Sequence, residues 1–258
     1  MLYSVVFLIG IILGSFFNVC IYRIPRKISI VKPPSACTKC GTRLKAIDLL
    51  PVFSYIFLKG KCRYCNEKVS MRYLGIEMLT GIMYVCLFYR FGFTIDFLVA
   101  IFLMSILIIV FFIDQKHFII PNALVLAALI GGVVVMVYNA FYPLQIYYKH
   151  NAWNPLMGMM VAVGFLGAVG LLGNFIYKTD EAMGMGDIKL FAAIGMFLGW
   201  QLTIVALFLS FLVGAAISVV LVVCKRKKRQ DKIAFGTFIV VATFITIMFG
   251  QQFLSWYI

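Results

Sequence analysis

The chain has 258 residues, 64% of them hydrophobic and 12% charged, with a mean hydropathy of +1.04. A soluble domain is about 45–50% apolar and about 25% charged, so a globular cytosolic fold and a disordered chain are both excluded, and a polytopic membrane protein is left. Its 23 Lys and Arg against 9 acids are read first as orientation across a lipid bilayer, not as nucleic-acid binding.

A crossing helix needs about 20 apolar residues. Residues 1–22 carry no charge, and the first basic residue, Arg23, follows the apolar run instead of preceding it as in a signal peptide. An uncleaved first helix with its N-terminus outside is expected. Residues 23–72 carry twelve Lys and Arg and two acids, Asp48 and Glu67, and belong in the cytoplasm. Apolar runs over residues 73–89, 97–113, 118–141, 156–177 and 233–256 predict further helices. The long run over 187–225 is predicted to break near Gly199-Trp200-Gln201, because Asp187 and the basic cluster at 225–229 both belong inside.

This is an all-α polytopic membrane protein with about eight transmembrane helices and a small cytoplasmic zinc-binding loop domain between helices 1 and 2. Both termini lie outside, and 21 of the 23 basic residues fall on the cytoplasmic side, Arg90 and Lys149 being the exceptions. The expected divisions are a first helix at 1–22, a four-cysteine domain at 23–72 and a seven-helix core at 73–258. The sixth helix is short: thirteen residues at about 1.5 Å each span about 20 Å. Its inner end, with Asp187, should lie below the membrane surface.

Cys37-x-x-Cys40 and Cys62-x-x-Cys65 are separated by 21 residues, the spacing of a four-thiolate zinc site. Gly41 and Gly60 are expected to supply the turns around the two knuckles. Disulfides are the alternative, and a reducing cytoplasm disfavours them. A closed four-cysteine site is structural and staples a loop too small to fold on its own core. Cys20, Cys86 and Cys224 stand singly in apolar segments and read as inert packing residues.

Three of the nine acids lie at or inside the apolar edge: Glu77, Asp114 and Asp187. Asp96, Asp180, Glu181 and Asp231 sit at boundaries or in loops and are expected to be solvated. Carboxyls inside a membrane cost about 2.5–3.5 kcal/mol each and mark functional sites. Asp114 ends the third helix and Asp187 opens the sixth, in Gly184-Met185-Gly186-Asp187. Both ends face the cytoplasm in this topology, so the two can meet. Two carboxyls in one site share a proton, which is the chemistry of an aspartic protease. Gly184 and Gly186 would let a substrate backbone approach Asp187, or would serve helix packing.

With these residues in view the chain resembles the bacterial type IV prepilin leader peptidases, which are intramembrane GxGD aspartic proteases. Four stretches carry the likeness: Gly14-Ser15-Phe16-Phe17-Asn18 through Arg23-Ile24-Pro25; the paired CxxC loop with Arg72-Tyr73 and Glu77-Met78-Leu79-Thr80-Gly81; Ile113-Asp114 with His117 and Ile120-Pro121-Asn122; and Gly184 to Leu190. The resemblance implies removal of a basic leader after a glycine from type IV prepilin or pseudopilin precursors, at the cytoplasmic face of the bacterial inner membrane. It also implies N-methylation of the new terminus with S-adenosylmethionine, an activity tied to the zinc loop. Asp114 and Asp187 carry over as the catalytic pair. Glu77, Gly184, Gly186 and Lys189 are candidates for substrate binding or methyl transfer, and Glu77 could equally pair with Arg72 or Lys189 for structure.

Two departures stand out. Asn122 replaces the family's Asp after the Ile-Pro pair, and Ala234-Phe235-Gly236-Thr237 replaces Pro-Phe-Gly-Pro, which is expected to straighten the start of the last helix. A proton-coupled transporter and a non-enzymatic zinc scaffold of a secretion or pilus machine are the competing readings. The transporter predicts midplane carboxyls and inverted repeats, and the chain has no visible repeat. The scaffold predicts that neither Asp matters.

Overall fold

A computed structural model describes residues 1–148, 151–177, 183–224 and 234–257. The basic cluster at 225–229, and with it Lys149, Asp180, Glu181 and Asp231, lies outside the described residues. The helices are α1 (Leu2–Arg23), the short α2 (Phe53–Phe57), α3 (Met71–Phe91), α4 (Ile95–His117), α5 (Asn122–Phe141), α6 (Asn154–Tyr177), α7 (Met185–Val223) and α8 (Phe235–Tyr257). Among the described residues, seven helices are long and apolar enough to cross a membrane.

The long α7 contains the predicted break. Gly199 has φ 70° and ψ 171° inside the helix, which divides it into two segments and brings the expected eight crossings into view. Glycine is suited to this place because positive φ is costly for residues with a Cβ. The faces turned away from neighbouring helices are apolar as well. Leu126, Val133 and Val137 on α5 and Leu171 and Phe175 on α6 are exposed, as expected of helices surrounded by lipid.

The chain forms two compact units, Met1–Phe93 and Thr94–Ile258. In the first, α1 packs on α3 through small residues. A Cβ on Gly10 would lie 2.7 Å from Cα of Gly81, and one on Gly14 would lie 2.8 Å from Cα of Glu77. The two backbones approach as small-residue membrane interfaces do. The Asn18 amide reinforces the pair by donating to the Tyr73 carbonyl at 3.1 Å. Ser70 caps α3, its hydroxyl accepting from the Arg72 amide at 3.3 Å.

The second unit is built on α4 and the first half of α7. Leu103, Met104, Leu107 and Val110 of α4, and Leu190, Phe191 and Phe197 of α7, have no exposed surface. Thr94 caps α4 through the Phe97 amide at 3.4 Å, and Phe118, at φ 56°, ends it. Gly158 of α6 meets Gly195 of α7 backbone to backbone, and a Cβ on either would overlap the other's carbonyl.

At the end of this unit away from Asp114, the link between α5 and α6 folds inward. The Ile146 amide donates to Asp96 at 2.8 Å, and the Leu144 amide to Asn139 at 3.3 Å. Asp96 is 5% exposed, so the expectation that it is solvated is wrong. It sits at a helix boundary, yet the incoming loop covers it and supplies a backbone donor, as a buried carboxyl requires.

Candidate active site and metal centre

Asp114 lies in the last turn of α4 and is 5% exposed. Its carbonyl accepts from the Phe118 amide at 2.9 Å, the bond that closes the helix as the chain turns through Ile119-Ile120-Pro121 into α5. Asp187 lies in the first turn of α7, which Gly184 caps, and the Asp187 amide donates to the Gly184 carbonyl at 3.0 Å. The two carboxyls line one cavity of about 280 Å³ with Phe118, Ile119, Ile120, Asn122, Gly184 and Gly186. Two positions distant in sequence are thus juxtaposed because the ends of α4 and α7 meet there.

The glycines of the Gly-x-Gly-Asp stretch have distinct neighbours. A Cβ on Gly184 would stand 2.7 Å from Oδ2 of Asp187, and one on Gly186 would stand 3.2 Å from Cβ of Ile120. The first keeps a side chain off the carboxyl, and the second lets α7 close on the turn after α4. Lys189 is exposed and, like His117, does not line the cavity.

A third element reaches the site that the sequence did not point to. The N-terminus of α8 packs against Asp114, with the amides of Gly236 and Thr237 facing its carboxyl. Oδ2 of Asp114 is buried and has no hydrogen-bond partner among the described residues. The signal in the sequence is Ala234-Phe235-Gly236-Thr237, where the glycine, more than the missing prolines, bears on the site.

Glu77 belongs to the first unit. It is 7% exposed, and Oε2 accepts from the Val52 amide at 2.7 Å. Its hydrogen-bonded partners are thus backbone from the cysteine-bearing loop and the Ser15 side chain of α1. Val52 holds φ 63° and ψ −52°, a strained conformation for a β-branched residue.

The four cysteines converge. The sulfurs of Cys37, Cys40, Cys62 and Cys65 all lie within 4.8 Å of one another, and those of Cys37 and Cys65 are 3.9 Å apart. A disulfide would need about 2.05 Å, whereas sulfurs bound tetrahedrally at about 2.3 Å from a zinc lie about 3.8 Å apart. All four are free thiols, and the set fits a thiophilic metal.

Two equivalent knuckles present them. The Gly41 amide donates to the Cys37 carbonyl at 2.9 Å, and the Asn66 amide to the Cys62 carbonyl at 3.0 Å. Gly41 and Asn66 have φ of 70° and 57°. The counterpart of Gly41 is thus Asn66, which tolerates left-handed backbone, and not Gly60, which precedes its knuckle. Asp48 ties the second knuckle down: it accepts from Arg63, and from the Tyr64 hydroxyl at 3.0 Å. The Arg63 guanidinium holds the Asp48 carboxyl below the usual carboxylate range, and Asp48 in turn raises the Tyr64 phenol.

Comparison with known proteins places the chain in a family. Residues 8–91 match the Bacterial Peptidase A24 N-terminal domain, and residues 101–219 match the Type IV leader peptidase family. A prepilin leader peptidase/N-methyltransferase of Bacillus subtilis is 32% identical, covering 99% of this chain and 97% of the relative. A protein of the same name from Legionella pneumophila is 30% identical, covering 100% of this chain and 94% of the relative. One from Aeromonas salmonicida is also 30% identical, over 99% and 94%. No solved structure matches. With relatives this similar along nearly its whole length, the chain belongs to the type IV leader peptidase family.

Proposed function

We propose that the chain is an intramembrane aspartic endopeptidase that removes the basic leader from type IV prepilin-like precursors after a glycine, with Asp114 and Asp187 as the catalytic pair. The observation that carries this reading is the shared cavity: two carboxyls from the ends of α4 and α7 line one opening. Their place at helix ends favours a peptidase over a proton-coupled transporter, whose carboxyls belong near the midplane.

One carboxyl is ionised and takes a proton from the attacking water, while the other is protonated and hydrogen-bonds the scissile carbonyl oxygen. The water oxygen adds to the carbonyl carbon. The diol passes a proton to the amide nitrogen, and the carbon–nitrogen bond breaks. A leader ending in a carboxyl and a mature chain with a new amine leave, without a covalent enzyme intermediate. Asn122 also lines the cavity, and its side-chain amide offers both a donor and an acceptor to the substrate backbone.

The metal loop takes zinc in a closed, structural site, which supplies stability and no open position for catalysis. The second activity in the relatives' name, N-methyltransferase, is proposed here as methylation of the new amino terminus by S-adenosylmethionine, with Glu77 and the metal loop in the unit that supports it. The charge asymmetry supports a bacterial inner-membrane location, with both termini outside and the loop and cavity facing the cytoplasm.

Co-expression with a type IV prepilin, followed by intact mass of the pilin, tests the reading. Wild type is expected to release a product shortened to just after the leader glycine, and Asp114→Asn and Asp187→Asn are expected to release none. The product mass also reads the added methyl. Cleavage that persists in either variant overturns the two-aspartate mechanism.

A further inference from the structure

Each carboxyl of the cavity has a glycine against it. Gly184 stands beside Asp187 within the same motif. Gly236 stands beside Asp114 from a different helix. A Cβ on Gly236 would lie 2.6 Å from Oδ2 and 3.1 Å from Cγ of Asp114, and 3.3 Å from Cδ1 of Ile120. Gly236 is buried, so a methyl there has no open space to enter.

We propose that Gly236 is a positioning residue for Asp114, fixing the orientation of its carboxyl by leaving room for Oδ2 against the start of α8. The proposal rests on the peptidase reading above. Three observations meet at this point. Oδ2 of Asp114 is buried and has no hydrogen-bond partner among the described residues, so packing sets where it lies. Oδ2 is also the first atom that a Cβ on Gly236 would meet. Ile120 lies between Gly186 of α7 and Gly236 of α8, with the Cβ of either glycine 3.2–3.3 Å from its atoms. Two helices thus close at glycine distance on Ile120, which flanks the carboxyl.

An added methyl at 236 cannot be absorbed by a flexible tail. The atoms it meets are those of a short, two-torsion carboxyl and an isoleucine already held on its other side. The carboxyl must rotate away from the start of α8, and its orientation in the cavity changes. A misplacement on the order of 1 Å can cost about a hundredfold in rate. A misoriented carboxyl acts on the chemical step, so the loss is expected in kcat.

Steady-state cleavage of a purified type IV prepilin in detergent micelles, with the full chain, tests this. Gly236→Ala is compared with Gly250→Ala on the same helix, where a Cβ would meet Leu202 and Thr246 methyls at 2.9 Å, away from the cavity. The expected result is a kcat about a hundredfold lower for Gly236→Ala, an unchanged KM and an altered pH–rate profile. Gly250→Ala should lower thermal stability and keep both the kcat per folded molecule and the profile. The shape of the profile does not depend on how much enzyme is folded, so it decides the matter even if Gly236→Ala is recovered poorly. A Gly236→Ala enzyme with wild-type profile, and with a rate loss matching its folded fraction, overturns the positioning role. Asp114→Asn and Asp187→Asn run alongside: if both still cleave, the peptidase reading itself fails and this inference with it. If both are dead while Gly236→Ala is fully active, only the positioning role fails.

Discussion

The Tyr147 hydroxyl donates to the Met196 carbonyl at 2.7 Å, three residues before the break in α7 at Gly199. The same ring fills the space beside the break, since a Cβ on Gly199 would lie 2.8 Å from Cδ1 of Tyr147. Tyr147 is 4% exposed. Tyr147→Phe is expected to leave a buried carbonyl short of a donor, at a cost of about 1–3 kcal/mol. Thermal unfolding in detergent checks it.

The same residue gives a pH dependence. Burial pushes the Tyr147 phenol above its ordinary value, which is about 10. A raised folded value means that its contribution is complete below the unfolded value and is lost as pH rises through the folded one. Wild-type stability should therefore fall above about pH 10. Tyr147→Phe, less stable at neutral pH, should show less of that fall. Parallel curves for the two proteins from neutral pH to about pH 11, one unit past the ordinary phenol value, would refute the assignment.

Gly199→Ala combines a left-handed φ of 70° with the contact to Tyr147. Strain of this kind costs on the order of 1–3 kcal/mol. The variant should melt lower than Tyr147→Phe if the ring is also displaced, and the double variant should lose less than the two losses added.

At the cavity, Gly184→Ala should lower kcat more than Gly186→Ala. The first puts a methyl 2.7 Å from Oδ2 of Asp187, and the second puts one 3.2 Å from Cβ of Ile120, where a shift of a few tenths of an ångström suffices. Prepilin cleavage per folded molecule is the measurement, and equal losses would count against the contact with Asp187.

Removing the metal should open the loop between α1 and α3. Four sulfurs that fit a tetrahedron hold two knuckles otherwise tied mainly by backbone bonds and by Asp48. Lys39, Lys45 and Arg63 are exposed already, so a thiol-competent chelator is expected to speed tryptic cleavage after them by loosening the backbone, and stoichiometric zinc to slow it again. A digestion pattern indifferent to chelator would mean that the loop stands without metal.

Glu77→Ala should weaken the same region from the other side, because the Val52 amide that donates to it loses its acceptor, at about 1–3 kcal/mol. Glu77→Gln keeps an acceptor oxygen and should lose less. Trypsin resistance of the loop, with metal bound, ranks the three proteins.

The number of crossings was legible in the sequence because apolar run length and basic charge are local properties. The metal ligands were legible because CxxC closes its own turn. Even the break in α7 could be read, since Asp187 and the basic cluster at 225–229 both belong inside, which requires an even number of crossings between them. What composition and spacing could not decide is which surfaces the folded chain brings together. Asp96 looked like a boundary acid until the loop carrying Ile146 covered it. Asn66 looked like an ordinary loop residue until the second knuckle placed it opposite Gly41. Gly236 is far from Asp114 in sequence, and its closeness to Oδ2 exists only because α8 begins where α4 ends. Period, charge and motif report what each segment is. Which segment ends meet is settled by helix packing, and at this cavity that packing is governed by where a Cβ is missing.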